Sequence, residues 1–154
     1  GAQWVLDADI EDCFGRMRNG IVLKQLGSWR VPSPVRELVQ RWLQTKIGNA
    51  WRADQVEAGT SQGSALSPLL CNLYLHSFDK AMQQRGITLV RYADDFVILG
   101  QHKAAVRWAQ TWAAANLRRV GLNMHPQKTR ITSFSEGFQF VGWFFVGDEM
   151  YQLK

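Results

Sequence analysis

The sequence predicts an α+β domain in which an antiparallel sheet carries its helices on one face, and three observations lead there. Short apolar runs of strand length stand at both ends of the chain, longer amphipathic segments with helix caps lie between them, and two short runs are close enough to form a hairpin. The helix-free face of such a sheet can hold a substrate.

Trp4 to Ile10 reads as a strand, apolar and followed by a polar break. A helical region follows around Ile21 to Leu26. Ser33-Pro34 opens another helix, with Ser33 as N-cap and Pro34 at the first helical position. Val35, Leu38, Val39 and Trp42 are spaced as its inner face, and Gly48 ends it. Asn49 to Ala58 reads as extended, and Gly59 to Ala65 as a loop. Ser67-Pro68 repeats the cap-then-proline signal before a long helix with an apolar stripe of Leu70, Leu73, Tyr74, Phe78, Ala81 and Met82, closed by Gly86. Thr88 to Tyr92 and Phe96 to Leu99 form a hairpin around Ala93-Asp94-Asp95. His102 to Val120 is an alanine-rich helix with Arg118 and Arg119 near its negative end and Gly121 after it. Thr129 to Phe134 and Phe138 to Val146 read as a final extended pair.

With 154 residues, 46% of them hydrophobic, the chain is large and apolar enough for one domain with a core. Eighteen Lys and Arg against thirteen Asp and Glu leave a net charge of +5. That balance suits a polyanionic partner, but the excess is spread from Arg16, Arg18 and Lys24 to Arg118 and Arg119 instead of forming a basic tail. Cys13, Cys71, His76, His102 and His125 show no metal-ligand spacing, so the thiols are expected to be reduced and half-buried, as in a cytosolic protein. No leader and no long apolar run stands in the sequence, so a cytoplasmic location and no membrane span are expected. There is no repeat, low-complexity stretch or linker, and an opening at Gly1-Ala2-Gln3-Trp4 without Met is expected of a piece cut from a longer polypeptide.

Three carboxylates carry the functional reading: Asp9 at a strand end, and Asp94 with Asp95 at a hairpin turn. Asp is a poor strand former, although bonding to local backbone would account for each one alone. Crowded carboxylates repel one another unless a cation neutralises them. Mg²⁺ takes hard oxygen ligands, and two such ions about 4 Å apart can clamp an in-line phosphoryl transfer. Strand ends and tight turns hold such acids on rigid backbone, but sequence spacing leaves open whether Asp9 and the hairpin meet.

Five segments, in order, add a resemblance. Asp9-Ile10-Glu11-Asp12-Cys13-Phe14 resembles the first catalytic motif of group II intron-like reverse transcriptases. Gly59-Thr60-Ser61-Gln62-Gly63-Ser64-Ala65-Leu66-Ser67-Pro68-Leu69-Leu70, continuing through Asn72 and Tyr74-Leu75, resembles their glutamine-glycine motif. Arg91-Tyr92-Ala93-Asp94-Asp95 resembles the tyrosine-alanine-aspartate-aspartate signature. Gly121-Leu122-Asn123 with Pro126-Gln127-Lys128-Thr129 resembles the next motif, and Phe138-Gln139-Phe140-Val141-Gly142-Trp143 the primer grip.

The resemblance implies a polymerase palm over residues 1–154, with most of the fingers and all of the thumb absent. It implies an RNA-directed DNA polymerase that transfers nucleotides to a primer 3′-hydroxyl with two Mg²⁺ ions, for which Mn²⁺ can substitute. The partners implied are an RNA template, a DNA primer and dNTPs. Asp9 and Asp94 would be the main metal ligands, with Asp95 beside them and the Ile10 carbonyl helping. Phe14 would lie under the sugar of the incoming nucleotide and exclude a 2′-hydroxyl. Gln62 and Gly63 would approach nucleotide and template, and Lys128 would stabilise or protonate the leaving pyrophosphate. Phe140, Gly142 and Trp143 would hold the primer end.

The chain departs from the family's usual pattern at Ser61 (commonly proline), Ser64 (glycine), Gly15 (aspartate) and Asn19 (histidine). The Gln62-Gly63 and Ser67-Pro68 pairs are unlike the diversity-generating subgroup, leaving retron, abortive-infection, CRISPR-associated and intron-encoded enzymes open. Without the fingers and thumb, polymerisation by this chain alone is expected to be weak or undetectable, because positioning dominates phosphoryl transfer. Exposed Trp and Phe would favour self-association. Two other readings stand beside this one: a domesticated, non-catalytic nucleic-acid-binding or assembly domain, and a nucleotide cyclase on a similar sheet. The intact acids speak against the first, and the Gln62 loop and primer-grip match against the second.

Overall fold

A computed structural model describes residues 1–44 and 67–153. In chain order these form β1 (Trp4–Asp9), α1 (Cys13–Arg16), α2 (Asn19–Ser28), α3 (Ser33–Gln44), α4 (Ser67–Gln84), β2 (Thr88–Tyr92), β3 (Asp95–Gly100), α5 (Lys103–Arg119), β4 (Arg130–Ser133), β5 (Phe138–Phe140), β6 (Trp143–Val146) and β7 (Glu149–Gln152). They divide into two units, one built from Gly1–Glu11 and the chain from Ser77 onward, the other from Asp12–His76. The division falls inside α4.

The first unit is built on a sheet in the order β2-β3-β1-β4, antiparallel at every pairing. Val5, Leu6 and Ala8 of β1 and Phe96, Val97 and Ile98 of β3 are all buried, so both faces of these strands are covered. This explains why their sequences read as apolar runs instead of alternating. On one face Leu6, Ala8, Phe96 and Ile98 lie toward α5, and Phe78 of α4 packs edge-on against Phe96 at 5.6 Å. Helix α5 turns Val106, Ala109, Ala113 and Leu117 inward, and the two alanines let its backbone come close to the sheet. The expected antiparallel sheet with helices on one face is what forms.

The opposite face is covered over part of its length by a second, three-stranded sheet, β5-β6-β7. Phe138 packs on Val5 and Val97, with Leu99, Phe134, Phe140 and Phe145 around them. Gly137, at φ 84°, is required here, because a Cβ on it would lie 2.5 Å from the Phe144 ring. The sequence predicts one extended segment over Phe138 to Val146, whereas the structure has two strands there and a third, β7, whose four residues are all exposed and carry no inward-facing pattern.

In the second unit, Cys13 and Cys71 are buried, not half-buried, as reduced thiols with their sulfurs 3.7 Å apart. The Tyr74 hydroxyl accepts the backbone N–H of Arg18 at 3.3 Å, and Trp29 lies edge-on to His76. Helix α3 starts one residue early, since the Pro32 carbonyl accepts the N–H groups of Val35 and Arg36 and so takes the cap position. Its expected inner face is only partly right. Val35 and Leu38 are 46% and 68% exposed, while Leu43 is buried, so the helix packs through its C-terminal half. The readings over residues 45–66 lie outside the described residues. Among the described residues, no helix is long and apolar enough to cross a membrane.

Phe96 is the side chain on which α4 and the sheet meet. Its truncation, Phe96→Ala, is expected to lower the unfolding free energy by about 3–5 kcal/mol in urea titrations. A loss of less than about 1 kcal/mol would contradict its place in the core.

Candidate active site

Asp9 ends β1 and Asp95 begins β3, and the antiparallel register sets them directly opposite one another. The Ile10 N–H donates to the Asp94 carbonyl at 3.0 Å, so Ile10 and Asp94 are a hydrogen-bonded pair. Asp9 and Asp95 are then a non-hydrogen-bonded pair, the closer kind, with Cβ atoms roughly 4.5–5.5 Å apart. Asp95 is thus a strand residue, and the loop between β2 and β3 consists of Ala93 and Asp94 alone.

Asp7, two residues before Asp9, shares the same face of the sheet. The Asp95 carboxyl is pushed up from its ordinary 3.8 to about 6, by burial first and then by neighbouring Asp7 and Asp9, with a smaller push from Asp94 and the Val141 N–H pulling the other way. Asp7 is also raised by burial, against the pull of Arg130, whose Nε donates to its Oδ2 at 3.0 Å. The strand face therefore changes character along its length, from the apolar patch at Val5, Val97 and Leu99 to a crowd of acids at the strand ends.

Lys128 reaches this crowd through backbone pairing. The Glu11 N–H donates to the Asn123 carbonyl and the His125 N–H to the Asp9 carbonyl, at 2.9 and 2.7 Å, laying residues 123–125 alongside the end of β1. A turn through Pro126 closes with the Lys128 N–H on the His125 carbonyl at 3.3 Å. The Lys128 Nζ then stands 3.2 Å from Asp9 Oδ2. Lys128 is mostly exposed, so this pair adds little stability, but it puts a cation on Asp9.

The β5–β6 hairpin arrives from the other side. Val141 and Gly142 form its two-residue turn, with φ 48° and 76°. Positive φ at both central residues suits a strand hairpin, yet a β-branched residue there is strained by about 1–3 kcal/mol. The Val141 N–H is the group that faces Asp95. Phe140 and Trp143 flank the turn as the last register pair.

The structure thus brings Asp9, Ile10, Asp94, Asp95 and Lys128 together at one end of the sheet. It adds Asp7 and Arg130, which the sequence does not single out, and Val141, which it names only within the primer-grip resemblance. Asp7 was legible from the period of two along β1; the other two depend on tertiary pairing. Phe14 lies half-buried on α1 in the second unit, and Gln62 and Gly63 lie outside the described residues. Among the described residues, no three His, Cys, Asp or Glu side chains converge as a ready-made metal site.

Residues 1–145 match the family described as "Reverse transcriptase (RNA-dependent DNA polymerase)". The chain belongs to the reverse transcriptase family. This reverse transcriptase domain is of the group II intron-like kind. It is 31% identical over 84 residues to the group II intron-encoded protein LtrA of Lactococcus lactis subsp. cremoris, covering 54% of this chain and 14% of that protein. It is 25% identical over 179 aligned positions to protein YkfC of Escherichia coli strain K12, covering 91% of this chain and 46% of that protein. The chain therefore spans less than half the length of these relatives. Among solved structures, apo telomerase from Candida tropicalis, truncated from its C-terminal domain, superposes with a TM-score of 0.73 at 14% identity, over 99% of this chain and 36% of that one. That likeness shows the fold, a polymerase palm.

The crowding of Asp95 has a measurable consequence. Between about pH 4 and 6 the folded reverse transcriptase domain holds a proton that the unfolded chain has lost, so stability falls as pH rises through that window. Asp95→Asn removes the charge while its amide oxygen still accepts the Val141 N–H. In chelator, the variant is expected to melt higher than wild type at pH 7.5, with the difference shrinking toward zero at pH 4. An equal difference at both pH values would contradict the crowding.

Proposed function

We propose that this reverse transcriptase domain is the catalytic palm of an RNA-directed DNA polymerase, extending a DNA primer along an RNA template from dNTPs. The observation that carries this reading is the face-to-face placement of Asp9 and Asp95 at paired strand ends, with Asp94 in the adjoining turn. The donor set is entirely oxygen, and burial together with the neighbouring acids raises the Asp95 carboxyl, a charge problem that a hard divalent cation neutralises. Asp9, Asp94, Asp95 and the Ile10 carbonyl would hold two Mg²⁺ ions, or Mn²⁺ in their place. When bound, such ions polarise the attacking hydroxyl and neutralise charge on the phosphates.

The chain's own groups supply the rest. Lys128, now on Asp9, is free to swing on its exposed stem toward the pyrophosphate that leaves, where it would offset charge or give a proton. The strained Val141-Gly142 turn, with Phe140 and Trp143, would seat the primer end beside the acids. Phe14 would exclude a ribose 2′-hydroxyl, and Gln62 and Gly63 would line the template and nucleotide side. Residues 1–154 would be the palm alone, with fingers and thumb supplied by the rest of the polymerase. Lys128 on Asp9 also suits a domesticated domain that binds nucleic acid without catalysis, in which the same lysine would be a permanent counter-ion.

Primer extension on an RNA template by the intact polymerase tests the proposal. Asp9→Asn and Asp94→Asn are each expected to slow nucleotide addition by roughly 10²–10³-fold or more, since each removes charge that stabilises the transition state. Unchanged rates in both variants would eliminate the two-metal reading and leave the non-catalytic one.

A further inference from the structure

We infer that Asp79 and Arg91 form a positioning device for the acids: the Arg91 guanidinium, anchored on α4 by Asp79, holds the turn carrying Asp94 in a conformation alanine does not favour by itself. This rests on the two-metal reading of Asp9, Asp94 and Asp95. In the turn between β2 and β3, Ala93 is the first central residue and has φ 54°, while Asp94 is not left-handed. Two-residue hairpin loops with this asymmetry ordinarily place glycine at that position, because a Cβ collides with the backbone there. Something outside the turn must hold it.

Arg91 is placed to do so. It lies on β2 two residues before Ala93, and Thr88, Val90 and Tyr92 are exposed while Leu89 and Arg91 face the helix side. Its Nη1 donates to the Ala93 carbonyl at 2.7 Å. Its Nε and Nη2 donate to the two Asp79 carboxylate oxygens at 2.8 and 2.5 Å. One planar fork thus grips a helix carboxylate and a turn carbonyl together, which a lysine ammonium cannot reproduce. Asp79 is itself fixed, since the next residue back, Phe78, is locked edge-on against Phe96.

The grip acts on the acids through the peptide plane. Holding the Ala93 carbonyl orients the Ala93–Asp94 peptide and so the direction in which Asp94 leaves the turn. The Asp94 carbonyl in turn accepts the Ile10 N–H at 3.0 Å, the last bond of the ladder that sets Asp9 against Asp95. The Arg91 side chain is 8% exposed and that of Asp79 34%. An ion pair taken this far out of water is a poor source of stability and is better explained by the geometry it imposes. Neither residue touches the reacting groups, so both are positioning residues.

The test is primer extension by the intact polymerase, read as kcat, dNTP KM and the Mg²⁺ concentration for half-maximal rate. Arg91→Gln and Arg91→Lys are expected to lower kcat by roughly 100-fold and to raise the Mg²⁺ requirement, with dNTP KM little changed. Adding Ala93→Gly to Arg91→Gln is expected to recover roughly tenfold or more, because glycine adopts the turn without the clamp. A pair that merely stabilised the fold would lower the melting temperature and leave these values unmoved in folded protein. Wild-type kcat and Mg²⁺ dependence in folded Arg91→Gln, or no recovery in the double variant, would overturn the inference. Asp79→Asn, which removes one of the two carboxylate oxygens that hold the Arg91 fork on the helix, is read the same way should Arg91→Gln fail to fold. Asp94→Asn separates the two claims. If it is fully active, the two-metal reading fails and the device with it; if it is inactive while Arg91→Gln is normal, only the device fails.

Discussion

The antiparallel pairing of β1 with β3 is the constraint on which the acidic end of this domain depends. Side chains alternate faces along a strand, so a slip of one residue would drive Asp9 into the helix layer and turn Ala8 out of it. What prevents the slip is burial on both faces: Leu6, Phe96 and Ile98 under the helices, Val5 and Val97 under Phe138. Each such side chain contributes about 1.5–3 kcal/mol on burial, whereas opposed like charges across strands cost about 0.2–1 kcal/mol. Packing wins by a wide margin, and the two carboxylates are held where their own repulsion would not put them.

The same logic extends to the two turns that flank the acids. Ala93 and Val141 both hold left-handed backbone without being glycine, and each stands one bond from the site: Ala93 next to Asp94, Val141 through its N–H to Asp95. Strained residues persist only where the surroundings over-determine them. For Ala93 the surroundings are the Arg91 fork; for Val141 they are the apolar seat of Phe138, Phe140 and Phe145 that fixes the hairpin's base. Core packing therefore sets not only the register of the acids but the backbone on both sides of them.

How much of this was legible in the sequence follows from the range of the interactions. β2 was read at its observed bounds, and α5 within one residue at each end, because periodicity and caps are local signals. Asp9, Asp94 and Asp95 stood out as acids beside apolar strand residues. That Asp95 belongs to a strand was hidden, since a two-residue turn and a three-residue turn look alike in sequence. The pairing of Asp79 with Arg91 was invisible for a deeper reason: Arg91 stood out only as part of the signature, and its bond to Asp79 spans an intervening turn. β7 left no pattern because all of its residues are exposed. The outward-facing Val35 and Leu38 show the opposite error, in which helical spacing alone was taken for burial.

Departures from the family pattern can be weighed by the same distinction between local and tertiary cause. Gly15 stands where an aspartate is usual. Asp12 is left-handed, with φ 45°, and lays its exposed carboxylate over Gly15, so that a Cβ there would lie 2.4 Å from its Oδ1. A second acid at position 15 would move that side chain aside and then repel it. Asn19, in place of histidine, is buried as the first residue of α2. Both departures lie in the second unit, while the acids sit in the first, in a register that β1 and β3 set between themselves. A palm can retain its fold at 14% identity for that reason: apolar exchange is tolerated wherever the strand period survives, and few positions require a particular side chain.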